Sequence, residues 1–258
     1  MKISILGSGS NGNSIFIEEN NSKILIDAGF SCKKIEEKLN SIGEELENIE
    51  ALLITHEHTD HILGAGIISR KYDIPLYITK ESYLAGQKKL GKIEDNNLKF
   101  INGDFIINGN IKAIPFDVMH DAERTIGFRL ESKNNKKIAI STDIGYISNI
   151  VRAAFSDVDV MVIESNYDYN MLMNCGYPFD LKARIKSNSG HLSNNSAVKF
   201  IKDIHSERLQ KAFLAHISRD SNTYDVVRET LERELHDSKI NLDFEVALQD
   251  FSSTICEF

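Results

Sequence analysis

The chain has 258 residues, 41% hydrophobic and 26% charged, an ordinary globular composition able to bury a sizeable core. Its formal net charge of −8 argues against broad, non-specific coating of DNA, although Glu36, Glu37, Glu44, Glu45, Glu47 and Glu50 put much of that acid in one stretch. No segment approaches the roughly 18–20 apolar residues of a membrane span, and the N-terminus turns to glycine and serine too soon for a signal peptide, so a cytoplasmic protein without a membrane partner is expected. Cys32, Cys175 and Cys256 are odd in number and far apart, which suits reduced thiols rather than a disulfide frame.

Lys2–Leu6, Ser14–Glu18 and Lys23–Ile26 read as short strands separated by turn-rich segments. Cys32, Ile35, Leu39 and Ile42 fall at helical spacing behind Ser31, a candidate N-cap. Ala51–Thr55 is an apolar strand, Ile62–Tyr72 a helix and Leu76–Thr79 a strand. Further strands are expected at Ile111–Ile114, Thr125–Leu130, Ile138–Thr142, Val158–Glu164, Ala212–Ala215 and Leu242–Leu248, with helices at Asn194–Ile204 and Thr223–Leu235. With three prolines and no linker, residues 1–258 read as one α/β domain, and the aperiodic residues 165–190 as a small insertion or arm.

The strand Ala51–Thr55 runs straight into His56-Glu57-His58-Thr59-Asp60-His61, which places three of the chain's eight histidines within six residues. Imidazole and carboxylate together suit zinc, manganese or iron. One ion cannot easily use all four groups from so short a loop. Two can, with His56 and His58 facing one and Asp60 and His61 the other. The cluster resembles the His-X-His-X-Asp-His signature of the metallo-β-lactamase superfamily. That resemblance implies an αββα sandwich, two mixed sheets flanked by helices, with two divalent ions at one edge.

The same resemblance implies the remaining ligands. His120 would complete the first site with His56 and His58. Asp143, after Ile138–Thr142, would bridge both ions at roughly 3.5–4 Å. His216 would complete the second site, and Asp27 would orient a ligand histidine. His205 and His236 read as solvated. An aspartate rather than a cysteine at the second site disfavours the zinc β-lactamases. His-X-His rather than His-X-Glu disfavours the diiron oxygen-reducing relatives. What remains is a hydrolase using a hydroxide held between two ions, with Asp60 handling its proton.

Gly190-His191-Leu192-Ser193-Asn194 precedes the helix Asn194–Ile204. Ser193 or Asn194 can cap that helix, whose N-terminus suits an anion, and His191 could contact a phosphate or protonate a leaving oxygen. With Gly7–Ser14, His120-Asp121-Ala122, Glu164–Asp168, Leu181–Ile185 and Leu214–Ser218, this motif makes the chain resemble the bacterial YycJ/WalJ (VicX) family. The family implies a metal-dependent 5′-to-3′ exonuclease on double-stranded DNA, Mn²⁺ being a suitable activator, with links to mismatch repair and to a two-component regulator. Between Asp143 and His216 there is no room for the inserted domain of the β-CASP RNA nucleases. Lys182, Arg184 and Lys186 offer alternating basic positions for a phosphate backbone, or simply a solvated face. The alternatives are a thioester hydrolase of the glyoxalase II type, which shares the ligand set, and a non-catalytic binding module.

Overall fold

In the computed structural model, which describes residues 1–258, alternating apolar residues sort the strands into two sheets with separate faces. The first half contains β1 (Lys2–Gly7), β2 (Ser14–Glu19), β3 (Ser22–Ile26), α1 (Cys32–Asn40), β4 (Ala51–Leu53), α2 (Thr59–Ile62), α3 (Ala65–Tyr72), β5 (Leu76–Ile78), α4 (Lys80–Leu90) and β6 (Leu98–Phe100). The second contains β7 (Phe105–Ile107), β8 (Ile111–Val118), β9 (Thr125–Ser132), β10 (Lys137–Ser141), α5 (Asn149–Phe155), β11 (Val160–Glu164), α6 (Tyr169–Asn174), α7 (Phe179–Ile185), α8 (Asn194–Ile204), β12 (Lys211–Ala215), α9 (Tyr224–Asp237), β13 (Asp243–Val246) and β14 (Cys256–Glu257).

Each sheet has seven strands, in the orders β14-β1-β2-β3-β4-β5-β6 and β13-β12-β11-β10-β9-β8-β7. Each begins as an antiparallel meander and becomes parallel, at β3–β4 in the first sheet and β10–β11 in the second. Alternation decides the layering. Ile24 and Ile26 of β3 join Ile138 and Ile140 of β10 and Phe213 of β12 between the sheets, whereas Leu25 packs outward with Ile35 and Leu39 of α1. Ala212 and Leu214 likewise meet Ala197 and Ile201 of α8 and Val227 and Leu231 of α9. The result is the expected αββα sandwich.

Local chemistry explains most element ends. Ser31 caps α1 by accepting from the Lys34 amide at 3.3 Å. The helix expected over Ile62–Tyr72 is instead two, α2 and α3. At the break, the Gly64 amide donates to the Ala28 carbonyl at 2.8 Å, and a Cβ on Gly64 would lie 2.3 Å from the Phe30 carbonyl oxygen. Helix α4 carries no apolar stripe to announce it: Leu84 is exposed, and Ser82, Gly86 and Leu90 are the buried positions. The aperiodic 165–190 stretch forms α6 and α7 around a small cluster of Tyr167, Leu172 and Ile185. His236 is exposed as expected, but His205 is half-buried at the end of α8. No helix is long and apolar enough to cross a membrane.

Candidate metal centre

Parallel strands deliver their carboxyl ends to one edge of the sandwich, and the titratable residues gather there. β3 ends at Asp27, β4 leads to His56, β8 leads to His120, β10 to Asp143, β11 ends at Glu164, and β12 leads to His216. Asp27, Asp143 and His216 hold left-handed backbone, with φ of 60°, 56° and 55°. This is an uncommon conformation for residues with a side chain, and it turns each one sharply off its strand into the site.

All seven residues expected as metal donors converge. Donor atoms of His56, His58 and His120 cluster together, as do those of Asp60, His61 and His216. His120 Nε2 lies 3.3 Å from His58 Nδ1, and Asp60 Oδ2 lies 3.4 Å from both His61 Nε2 and His216 Nε2. Asp143 stands between the groups, with Oδ2 3.1 Å from His61 Nε2 and Oδ1 3.6 Å from His120 Nε2. His56 Nε2 and Asp143 Oδ2 are buried without a hydrogen-bond partner. Such atoms are costly to bury unless something else satisfies them, and divalent ions would satisfy these.

The surrounding groups fix which nitrogen faces inward. Asp27 Oδ2 lies 2.7 Å from His61 Nδ1, while the Thr55 amide and hydroxyl donate to its two oxygens at 2.9 and 2.8 Å. His120 Nδ1 donates to the Gly190 carbonyl at 3.0 Å. The His216 ring is held by Glu164 Oε1, 2.7 Å from Nδ1. Each arrangement leaves Nε2 aimed at the centre.

Electrostatics within the cluster are strong. Although burial opposes it, the carboxylates of Asp27, Asp143 and Asp60 raise the His61 imidazole well above its ordinary value. Against the same penalty, Asp143, Asp60 and Glu164 raise His216 to about 10. Burial, then neighbouring His61, pushes His56 well below 6.5. Despite burial, the histidines hold Asp60 and Asp143 well below the carboxylate range. This pattern suits a site where cations neutralise a concentrated set of carboxylates.

Three residues at the centre have no role in the sequence reading. Glu164 is fully buried. Its Oε1 faces His216 Nδ1 and His191 Nδ1, the latter at 2.9 Å, and its Oε2 accepts from the Ile144 and Leu192 amides at 3.0 and 2.8 Å. Burial opposes its ionisation, but His191 and His216 bring it down to about 2. Asn13 donates from Nδ2 to Asp60 Oδ2 at 3.3 Å, and Ser8 links its Oδ1 to the His216 amide. Asp121 lies beside His120 and pairs with Arg184. All three lie in motifs that carry the family resemblance, and Glu164 also ends a strand at the catalytic edge, but neither signal names a role.

The residues of the Gly190–Asn194 motif divide between the site and the packing of α8. His191 is 21% exposed, lines a cavity of about 180 Å³ and keeps its second nitrogen free of Glu164. Gly190 is needed because a Cβ there would lie 2.2 Å from the Arg184 carbonyl oxygen. Ser193 caps α8 by accepting from the Ser196 amide at 3.2 Å. Asn194 is buried and bonded to Ser165 and Asn222, its amide donates to Tyr167, and the Leu192 amide is spent on Glu164. The Leu192 amide and the Asn194 side chain are thus bonded within the protein, and the half-exposed Ser193 hydroxyl serves as the helix cap. Lys182 and Arg184 lie on helix α7 with Lys186 as its C-cap, and Lys182 donates to the Met173 and Cys175 carbonyls at the end of α6.

Residues 22–217 match the family model described as the Beta-lactamase superfamily domain. The chain is 34% identical to the exodeoxyribonuclease YycJ of Bacillus anthracis over 92% of its own length and 90% of that protein's. It is 36% identical to the exodeoxyribonuclease WalJ of Streptococcus pneumoniae over 95% and 93% of the two chains. Among solved structures, the metallo-beta-lactamase fold protein YhfI of Bacillus subtilis superposes with a TM-score of 0.72, covering 98% of each chain at 14% identity. The chain therefore belongs to the beta-lactamase superfamily, in the family of YycJ and WalJ, and is a metal-dependent hydrolase.

Proposed function

We propose that the chain is a phosphodiesterase that degrades double-stranded DNA from a 5′ end. In this reading residues 1–258 act as one domain, with the 165–190 arm as one wall of the cleft. His56, His58 and His120 would hold one divalent ion and Asp60, His61 and His216 the second, with Asp143 available to both. The observation that carries the reading is the convergence of seven donors around two buried atoms with no partner. Identity to named exodeoxyribonucleases over more than nine-tenths of the chain supports DNA as the substrate.

Two divalent ions, Mn²⁺ being a suitable pair, would withdraw charge from the scissile phosphate and make water acidic enough to attack at neutral pH. The protein's own groups supply the rest. Asp60 is partly exposed and held by Asn13, so it can accept a proton from the attacking water. His191 has one nitrogen fixed by Glu164, and that carboxylate raises its pKa against burial. Its other nitrogen can therefore hold a proton for a phosphate oxygen or for the departing one. Asp27 and Glu164 keep His61 and His216 in register.

The test is a metal-screened digest of end-labelled duplexes with and without a 5′ phosphate, beside a lactoylglutathione assay. Progressive release from the 5′ end is the expected result. Faster turnover of the thioester than of DNA would point instead to a glyoxalase II-type hydrolase, and duplex binding without turnover in any metal to a binding module. Asp60→Ala should abolish cleavage. His191→Ala should lower it by about 10²–10⁴-fold with fold and metal retained, the usual worth of a general acid. Unchanged activity in that variant would remove His191 from the chemistry.

A further inference from the structure

A second cavity lies on the same edge of the sandwich, past the carboxyl ends of the neighbouring parallel strands β12 and β13. Its volume is about 480 Å³, within the usual range of small-molecule pockets, about 300–1,000 Å³. Ile217, Tyr224, Leu248 and Phe251 give it apolar walls, and Arg219 stands at its rim. It shares Ser218 with the cavity lined by His191, and Ser218 is two residues beyond His216. The Leu248–Asp250 loop is also tied to the catalytic edge. Leu248 accepts from the Ser8 amide, and Gln249 accepts from Asn11 and donates to Gly12.

We propose that this pocket is a stacking platform for a nucleobase of the strand being degraded, with Phe251 as its main surface. This rests on the phosphodiesterase reading above. Phe251 is 71% exposed and Leu248 37%, a marked exposure for apolar side chains beside a site of hydrolysis. Most polar groups of the pocket are already engaged elsewhere in the fold. Asn222 bonds Ser165, Asn166 and Asn194, Ser218 bonds Asp220 and Ser221, and the Tyr224 hydroxyl accepts from the Gln249 amide. Arg219 is paired with Asp250. A base entering here meets flat apolar surface and little that could read its hydrogen-bonding edge. Stacking of this kind tolerates every base, which suits a nuclease acting on arbitrary sequence. Adjacency to the His191 cavity, with Ser218 lining both, favours this occupant over a second copy of the chain.

The experiment places 2-aminopurine at successive positions near the 5′ end of a duplex and titrates it with Asp60→Ala protein, a background that does not cut. Because the chain has no tryptophan, no indole contributes, and quenching beyond that of the free duplex that depends on Phe251 reports stacking on that ring. Quenching should be confined to one or two positions and disappear in Asp60→Ala with Phe251→Ala. The dissociation constant should then rise between about 5- and 150-fold, the worth of one stacked base. Phe251→Tyr should restore both readouts, and Phe251→Leu, apolar but not flat, should not. In otherwise wild-type protein, Phe251→Ala should raise KM for duplex while leaving hydrolysis of bis(p-nitrophenyl) phosphate within twofold. Quenching and affinity that survive Phe251→Ala overturn the platform. So does a dimer in sedimentation that Phe251→Ala dissolves without any change in DNA binding. If wild-type protein cleaves neither substrate in any metal, the phosphodiesterase reading fails and the platform stands or falls on the quenching alone. If both are cleaved and Phe251→Ala leaves duplex KM unmoved, the platform fails alone.

Discussion

At the scale of single residues, Glu164 is the group on which most of the centre depends. It orients His216, one of the metal donors, and His191, the proposed acid, while receiving two backbone amides. Glu164→Gln keeps the shape but replaces one anionic acceptor with an amide, so the two imidazoles can no longer share the same charged partner. Metal affinity or activity should fall about 10–100-fold, the usual consequence of losing a ligand's hydrogen-bond partner. Metal titration beside a hydrolysis assay measures it, with circular dichroism checking the fold. Full activity in this variant would mean that backbone packing alone holds His216. Glu164 was not legible in the sequence because its meaning arises only when β11 lies between β10 and β12. His56–His61 was legible because four donors are contiguous in the chain and need no folding to be seen together. Asp27, His120, Asp143 and His216 were legible as candidates only through family resemblance.

At the scale of elements, α8 was readable to its end residues because Ser193 precedes an amphipathic run with Ala197 and Ile201 on one buried face. The motif before it was half readable. Ser193 and Asn194 look like anion ligands in a list of residues, but their partners Ser196, Ser165 and Asn222 are set by tertiary packing. Ser193→Ala should therefore behave as a lost cap, costing about 1 kcal/mol. Urea unfolding would show this with little change in KM. A large rise in KM at unchanged stability would return Ser193 to the phosphate. Helices α4 and α5 and the edge strands β6, β7 and β14 escaped the sequence reading because they are short or lack a continuous apolar face.

At the scale of the whole molecule, the fold concentrates carboxylates and imidazoles at one edge, and cations must hold them there. Ions bound about a thousandfold above their dissociation constant contribute about 4 kcal/mol per site, so chelation should lower the melting temperature markedly. In chelated protein, protons serve instead, and His216 is raised from 6.5 to about 10. A raised pKa means that the folded state binds the extra proton. The associated stability is fully present below about pH 6.5 and is lost as pH rises towards 10. Melting curves with and without chelator over that window should diverge as pH increases, because metal replaces the titrating proton in the loaded protein. Parallel curves would mean that His216 is not part of the cation site.

The matching strand orders of the two sheets have a further consequence. Each meander turns into parallel crossovers at its third or fourth strand, so both sheets send their functional ends to the same rim. The opposite rim carries connections such as the Asn20-Asn21 turn between β2 and β3 and the Asn134-Asn135 turn between β9 and β10, where Asn20, Asn21 and Asn135 adopt left-handed backbone. Chemistry and attachment are thereby separated across the thickness of the molecule. A dye, a surface tether or a fused domain joined at Asn20-Asn21 or Asn134-Asn135 would leave the cleft open to a long polymer, which makes that rim the natural handle for watching single molecules of this protein at work.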